Sequence, residues 1–193
     1  MRLENSFEVP APPDQAWDLL LDVPRVVPCM PGAELTETVD DSNWKANVGI
    51  KLGPVSLKFA TDVNRKEVDE AARRVTLSAN GREMRGRGAA RATVESSLAA
   101  TNGGTRVNIV TDLTLSGPAA QYGRGMVADV SSQLVGRFAD CLKKQLEATP
   151  AEAQAAVTEA AKPVSGLRLG IAAFFRSIAR FFRRLLGRSG ERE

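Results

Sequence analysis

Alternation between apolar and polar residues from residue 33 to residue 115 is the feature that most constrains the fold of this chain. A period of two residues is typical of β-strands that bury one face and expose the other to water. Turn residues interrupt the alternation at 40–43, 53–54, 70–72 and 102–104. Because these connections are short, successive strands are expected to pair as an antiparallel meander. We predict six strands, at 33–39, 44–52, 55–68, 73–83, 88–100 and 105–116.

The segments on either side of the meander complete the predicted body. Residues 3–9 alternate as well, which predicts one further strand, and Pro12-Pro13-Asp14 begins a short helix that runs to Asp22. The proline-rich stretch 23–32 cannot form a regular long helix. Residues 121–146 carry apolar side chains at helical spacing and predict a long core helix. The predicted fold class is therefore α+β, with about seven antiparallel strands and a long C-terminal helix.

Charge divides the chain into a body and a tail. Residues 1–161 hold 18 basic and 21 acidic side chains, whereas residues 162–193 hold 8 basic and 2 acidic ones. The apolar fraction of 43% is sufficient for one hydrophobic core. We predict a domain over 1–147, an Ala- and Pro-rich linker over 148–165, and an amphipathic helix over 166–188.

The predicted tail helix has the composition of a segment that lies on a membrane surface. At about 100° per residue its Phe, Leu and Ile side chains share one face and its arginines share the other. Its apolar runs are too short to span a bilayer. The predicted membrane-binding residues are Ile171, Phe174, Phe175, Arg176, Ile178, Arg180, Phe181, Phe182, Arg183, Arg184 and Leu185. The alternative is a helix docked on the body or on a protein partner. Nucleic acid is not expected as a partner, because binding to phosphates would explain the cations but not the Phe stripe.

The absence of histidine limits the chemistry of this chain. Catalytic systems that use a His base and metal sites that use His ligands are excluded. Cys29 and Cys141 lie far apart in sequence and outside any CxxC spacing, so we expect two buried thiols in a reducing cytosol and no metal site. The first residues carry no apolar run typical of a secretory signal.

Small residues on the predicted inner faces of the strands leave two packing alternatives open. The sheet either packs closely on the long helix, helped by Gly123, Gly125 and Gly136, or curls around it and encloses an apolar cavity. Tyr122 would donate a hydrogen bond to a ligand carbonyl or pack at the start of the helix. The candidate cavity residues are Val27, Met30, Val48, Ile50, Leu57, Phe59, Leu77, Val94, Tyr122, Met126 and Val130.

Arginines are predicted to cluster on the outer side of the sheet. Arg85, Arg87 and Arg91 fall on one outward face, with Glu83 beside them. The cluster is interpreted as a solvated surface or as a docking surface for an acidic partner.

Three segments resemble a known family. Residues 28–32 (PCMPG), 48–55 (VGIKLGPV) and 122–130 (YGRGMVADV) are similar to the CoxG family of carbon monoxide dehydrogenase subunits, within the START-like helix-grip (SRPBCC) superfamily. The resemblance covers residues 1 to about 147. It implies a curved sheet around a long helix that holds an apolar ligand. It also implies association with a molybdenum CO dehydrogenase, or a related molybdenum hydroxylase, at the cytoplasmic membrane.

The expected function combines the resemblance with the tail. We expect a non-catalytic, peripheral adaptor on the cytoplasmic face of the cell membrane that recruits the dehydrogenase and binds a lipophilic quinone, menaquinone first. No catalytic residue, metal or covalent cofactor is expected. The alternatives are a lipid carrier without a dehydrogenase partner, and a START-like cyclase or hydrolase, for which no pair of acid–base residues shows a defensible spacing.

Overall fold

The structure, a computed structural model, describes residues 1–52 and 55–147. The predicted linker and tail helix lie outside the described residues. The strands are β1 (Arg2–Val9), β2 (Ala33–Asp40), β3 (Asn43–Leu52), β4 (Val55–Asp69), β5 (Arg74–Glu83), β6 (Ala89–Thr101) and β7 (Gly104–Leu115). The helices are α1 (Pro13–Leu21), α2 (Val23–Val26) and α3 (Arg124–Glu147), with 3₁₀ turns at Val27–Cys29 and Gly117–Gln121.

The strands form one antiparallel sheet in the order β1-β7-β6-β5-β4-β3-β2. The predicted six-stranded meander is confirmed, and β1 adds to it by pairing with β7. Side chains alternate between the two faces along each strand, so the inner set from β3 to β7 follows the predicted apolar residues. The long helix begins at Arg124 rather than at residue 121, because Gly117–Gln121 forms a 3₁₀ turn first.

The connection between β1 and β2 crosses from one edge of the sheet to the other. Those two strands are the edge strands, so residues 10–32 must span the sheet width. Trp17 and Leu19 of α1 are buried along this path. The path ends at Gly32, which has a φ of 82° and accepts a hydrogen bond of 2.7 Å from the N–H of Gly49. A side chain at Gly32 would collide with the Gly49 carbonyl, so this close approach to β3 requires glycine.

Helix α3 packs along β1 rather than across the middle of the sheet. Asn5 of β1 donates a hydrogen bond of 3.1 Å to Ser131 and accepts one of 3.2 Å from Ser132. The Phe138 ring meets Phe7 edge to face, with 5.9 Å between the ring centroids. The buried side of α3 includes Val127, Phe138 and Leu142.

The two cysteines form a disulfide, which corrects the expectation of two separate thiols. Cys29 follows α2, and Cys141 lies in the last turns of α3. The fold brings their Cα atoms to 5.3 Å, within the range that a disulfide requires. Their separation of 112 residues hid this proximity, because only the sheet crossing of residues 10–32 places Cys29 against α3.

Candidate functional site

An apolar cavity of about 360 Å³ lies between α3 and the inner face of the sheet. Its described lining is almost entirely aliphatic or aromatic and contains no ionisable side chain. The lining residues are Leu3, Leu20, Val26, Met30, Ile50, Leu57, Phe59, Val63, Val75, Leu77, Ala79, Ala90, Val94, Ser96, Ile109, Thr111, Leu113, Leu115, Ala119, Val127, Val130, Ser131, Leu134, Val135 and Phe138. Such a lining can hold a hydrophobic molecule.

Small inner-face residues and the position of α3 create this space. Ala79 and Ala90 line the cavity where larger side chains would fill it. The alternative of close packing through glycines is wrong. A Cβ added at Gly123, Gly125 or Gly136 would meet no atom within 4 Å, so these glycines bring no element close to α3.

Most of the predicted cavity residues lie around this space. The residues that line it are Met30, Ile50, Leu57, Phe59, Leu77, Val94 and Val130. Val27, Val48, Tyr122 and Met126 are not part of the lining. Met126 is 42% exposed, because the helix turns its neighbour Val127 toward the sheet instead. Tyr122 is half-buried and packs against the cluster of Leu57, Phe59 and Ala119.

Sequence reasoning missed cavity residues on α1, α2, β1 and β7, because their distance from the cavity depends on how these elements pack in the folded chain. Leu20 of α1 and Val26 of α2 form part of the wall, and Val26 takes the place predicted for Val27. Leu3 of β1 and Ile109 of β7 also contribute. Their inward alternation is visible in the sequence, but it does not show which inward residues border a void and which contact other side chains.

Three hydroxyl groups interrupt the apolar lining. They belong to Ser96 on β6, Thr111 on β7 and Ser131 on α3. Ser96 pairs with Ile109, two residues from Thr111 on the same strand, so these two hydroxyls lie on adjacent strands of the inner face. Ser131 accepts the hydrogen bond from Asn5, which leaves its own proton available for donation. The lining can therefore donate hydrogen bonds to a ligand oxygen.

The proline-rich segment that supplies Val26 and Met30 is fastened to α3. The disulfide joins Cys29 to Cys141 at one point of this contact. Buried Gln145 adds hydrogen bonds of 3.1 Å from its Nε2 to the Arg25 carbonyl and to Cys29 Sγ. The Asp22 side chain also accepts a 3.2 Å hydrogen bond from the Arg25 N–H at the start of α2. A disulfide and hydrogen bonds therefore hold this wall of the cavity against α3.

The predicted outward cluster of arginines is rearranged. Glu83 is buried on the inner side, opposite Phe59, while Arg85 and Arg87 lie in the turn between β5 and β6. The Glu83 carboxylate accepts hydrogen bonds from the backbone N–H of Arg85 at 2.9 Å and of Arg87 at 3.2 Å. Burial raises the pKa of Glu83, but these N–H groups and the Arg87 guanidinium outweigh burial and hold the pKa below its usual value. The sequence shows which residues are charged. Because β5 ends at Glu83, the alternation of a strand no longer determines which way Arg85 and Arg87 point.

The described part of the chain contains neither a cluster of metal-binding side chains nor a membrane-spanning helix. No group of three or more Cys, Asp or Glu side chains there is arranged to hold a metal ion. No helix over residues 1–52 and 55–147 is long and apolar enough to cross a membrane.

Comparison with known families decides the classification. The family profile of the CoxG carbon monoxide dehydrogenase subunits matches residues 6–147. This chain belongs to the CoxG family. The match covers all of α3 and nearly all of the sheet, and every cavity-lining residue except Leu3 lies within it. Among curated proteins, none shows significant sequence similarity to the chain.

Solved structures share the fold of this CoxG member. A conserved protein from Geobacillus kaustophilus matches with a TM-score of 0.67 at 21% identity, over 76% of this chain and 95% of that one. A START superfamily protein from Mycobacterium smegmatis matches with a TM-score of 0.53 at 16% identity, over 76% and 98%. A protein from Thermus thermophilus gives a TM-score of 0.53 at 12% identity, over 84% and 100%. At these identities the likeness shows the START-like fold alone.

Proposed function

We propose that this CoxG member is a membrane-associated adaptor that binds both a lipophilic quinone and a molybdenum CO dehydrogenase, and so links the enzyme to the quinone. Menaquinone is the first candidate for the quinone. The observation that carries the proposal is the apolar cavity, whose described lining has a few hydroxyl donors and no ionisable side chain. A non-reacting hydrophobic ligand suits such a lining, because no buried charge is left unpaired when it binds. Membership of the CoxG family supports the dehydrogenase as the partner.

The polar groups of the cavity favour a ligand with carbonyl oxygens at one end. Ser96, Thr111 and Ser131 lie among aliphatic side chains and can donate hydrogen bonds to such oxygens. A quinone ring carries two carbonyl groups on an apolar body, so it matches both parts of the lining. A plain fatty acyl chain would leave these hydroxyls without a ligand partner.

The cavity volume limits how much of the ligand is enclosed. About 360 Å³ lies near the lower end of the roughly 300–1,000 Å³ found for small-molecule pockets. A quinone ring and the first part of its side chain therefore fit, and a long isoprenoid tail must extend beyond the cavity. Such a tail has to be shielded from water, which supports a location at the bilayer surface.

The membrane part of the proposal rests on the sequence of the tail. Its arginines and its Phe stripe match an interfacial helix, and anionic lipids attract each arginine by about 1 kcal/mol. The tail would keep the body beside the phase in which quinones dissolve.

The decisive experiment is mass spectrometry of what copurifies with the full chain produced in a quinone-containing bacterium. We expect an isoprenoid quinone in the organic extract. Ala79→Phe and Ala90→Phe place a ring in the cavity and should lower the bound quinone roughly tenfold or more, because ring and ligand compete for the same space. Ala60→Phe is the matched control, since Ala60 is exposed on the opposite face of β4.

The identity of the copurifying molecule distinguishes a quinone-binding adaptor from a lipid carrier. Circular dichroism first establishes that the three variants are folded. A quinone lost only from the cavity variants supports the proposal. An acyl lipid in its place favours the carrier function, and the absence of any copurifying hydrophobic molecule contradicts ligand holding. Pull-down with purified CO dehydrogenase tests the adaptor role independently.

A further inference from the structure

A group of exposed cations lies at the end of the sheet formed by the β3–β4 and β5–β6 connections. We call this group, together with one exposed methionine, the basic face. Its members are Lys51, Lys58, Arg82, Met84, Arg85, Arg87 and Arg91, and all of them are exposed.

Strand register brings these residues together from four strands. Arg82 pairs with Ala60 and Ala89, so Lys58 and Arg91 are each two residues away from its partners on the adjacent strands. Diagonal neighbours of this kind lie about 7–8 Å apart on one face of a sheet. The Met84 N–H donates a 2.8 Å hydrogen bond to the Lys58 carbonyl, which fixes the start of the β5–β6 turn beside β4.

Few ion pairs balance the charges of the basic face. Among the described residues, its only ion pair joins Arg87 to buried Glu83 at 3.6 Å. Several cations elsewhere on the body do form ion pairs: Lys45 with Glu37 at 2.8 Å, Arg74 with Asp69 at 3.4 Å and Arg106 with Glu8 at 2.8 Å. A body whose residues 1–161 carry more acidic than basic side chains thus concentrates unbalanced positive charge at one end. Such a patch attracts an anionic surface.

Exposed apolar side chains accompany the cations at this end. Met84 is 57% exposed within the basic face, and Met126 at the start of α3 is 42% exposed. The same end of the cavity is built from Leu57, Phe59 and Ala119, with half-buried Val55 and Tyr122 packed against them. Flexible methionine side chains among cations can enter the boundary region of a bilayer while the cations stay at the head groups.

We propose that the basic face docks the body on an anionic lipid surface, so that the body makes a membrane contact separate from the tail. The mixture of unbalanced cations and protruding methionines favours lipid over an acidic protein. A protein partner would be expected to supply carboxylates for the cations and a formed pocket for Met84. Binding to lipid follows from the basic face alone, whereas its connection with a quinone held in the cavity rests on the proposed function.

The test uses the full chain with Met84→Trp and vesicles that contain bromine-labelled lipids, which quench a nearby indole. The native residues Trp17 and Trp44 are buried and give a constant background. We expect quenching with vesicles of phosphatidylcholine and phosphatidylglycerol, and its loss with phosphatidylcholine alone or at high salt. Lys58→Gln/Arg82→Gln/Arg85→Gln in this background should weaken the quenching affinity about tenfold or more.

A matched variant separates position from net charge. Lys66→Gln/Arg137→Gln/Lys144→Gln removes the same charge from exposed positions outside the basic face and should retain the quenching affinity. Equal losses in both triple variants would overturn the proposal, as would an indole at position 84 that stays unquenched while the chain sediments with the vesicles. Loss of dehydrogenase binding in the first variant without any change in quenching would assign the face to a protein instead. Quenching without any copurifying quinone would leave the docking surface intact and refute only the ligand.

Discussion

Individual polar side chains in this molecule act mainly by organising backbone at the ends of the cavity. Glu83 is buried and collects two N–H groups of the turn that follows it. Gln145 fixes the segment after α2 to the last turns of α3. These hydrogen bonds hold in place a turn that carries exposed cations and a segment that lines the cavity.

The Glu83 carboxylate gives a pH-dependent contribution to folding. Its pKa is lower in the folded chain than the unfolded value of about 4.3, so its contribution is present above that value and is lost as pH falls through the folded pKa. Glu83→Gln should therefore lower the free energy of unfolding at neutral pH, with a difference that shrinks in acid. Urea unfolding between about pH 3 and pH 7 measures this.

A control accounts for the change in total charge. Glu95→Gln removes an exposed carboxylate from the outer face of β6. If the loss in the free energy of unfolding had the same pH dependence in both variants, the hydrogen bonds of Glu83 would not be the cause of that dependence.

At the level of elements, the crossing from β1 to β2 and helix α3 form one unit. The crossing supplies Leu20, Val26 and Met30 to the cavity lining, and α3 supplies residues from Val127 to Phe138. The disulfide between Cys29 and Cys141 joins these elements where the crossing ends. The cavity wall therefore depends on a link between residues far apart in sequence.

Removal of this link should destabilise the fold. Cys29→Ser/Cys141→Ser releases a closed loop of more than a hundred residues and should reduce the free energy of unfolding by about 2–5 kcal/mol under oxidising conditions. Urea denaturation of the purified chains measures the loss. Addition of a reducing agent should lower the stability of the parent chain toward that of the variant, while leaving the variant unchanged. A parent chain that is insensitive to the reducing agent would contradict the stabilising role.

At the level of the whole molecule, the body that contains the cavity and the proposed membrane-binding tail are separate in sequence. Within the described part of the chain, the buried apolar core and the cavity lining lie between Leu3 and Leu142, and the CoxG family profile matches residues 6–147. The amphipathic segment follows after the linker. Removal of the tail should therefore affect attachment more than folding.

Deletion of residues 166–193 is expected to lower binding to anionic vesicles by more than about tenfold, because the Phe stripe and all of the tail arginines are lost. The residual binding should come from the basic face and disappear at high salt. Sedimentation with vesicles measures both effects, and thermal unfolding checks that the body is unchanged. Undiminished sedimentation of the shortened chain would exclude the tail as the main anchor.

The antiparallel meander, the long helix and the apolar inner face follow from the order of residues along the chain. Alternation with a period of two and helical spacing are local properties, so they are visible without a structure. The same patterns place most of the predicted cavity residues correctly, among them Ile50, Phe59 and Val94, since inward residues of adjacent strands must share one face.

The choice between a filled and an open interior came from the tertiary fold, because it depends on where α3 lies across the sheet. The fold places α3 along β1, turns Met126 outward and Val127 inward, and sets Val26 in the cavity wall. It also joins Cys29 to Cys141 and buries Glu83. Each of these outcomes depends on contacts between distant segments, which the local pattern of residues does not specify.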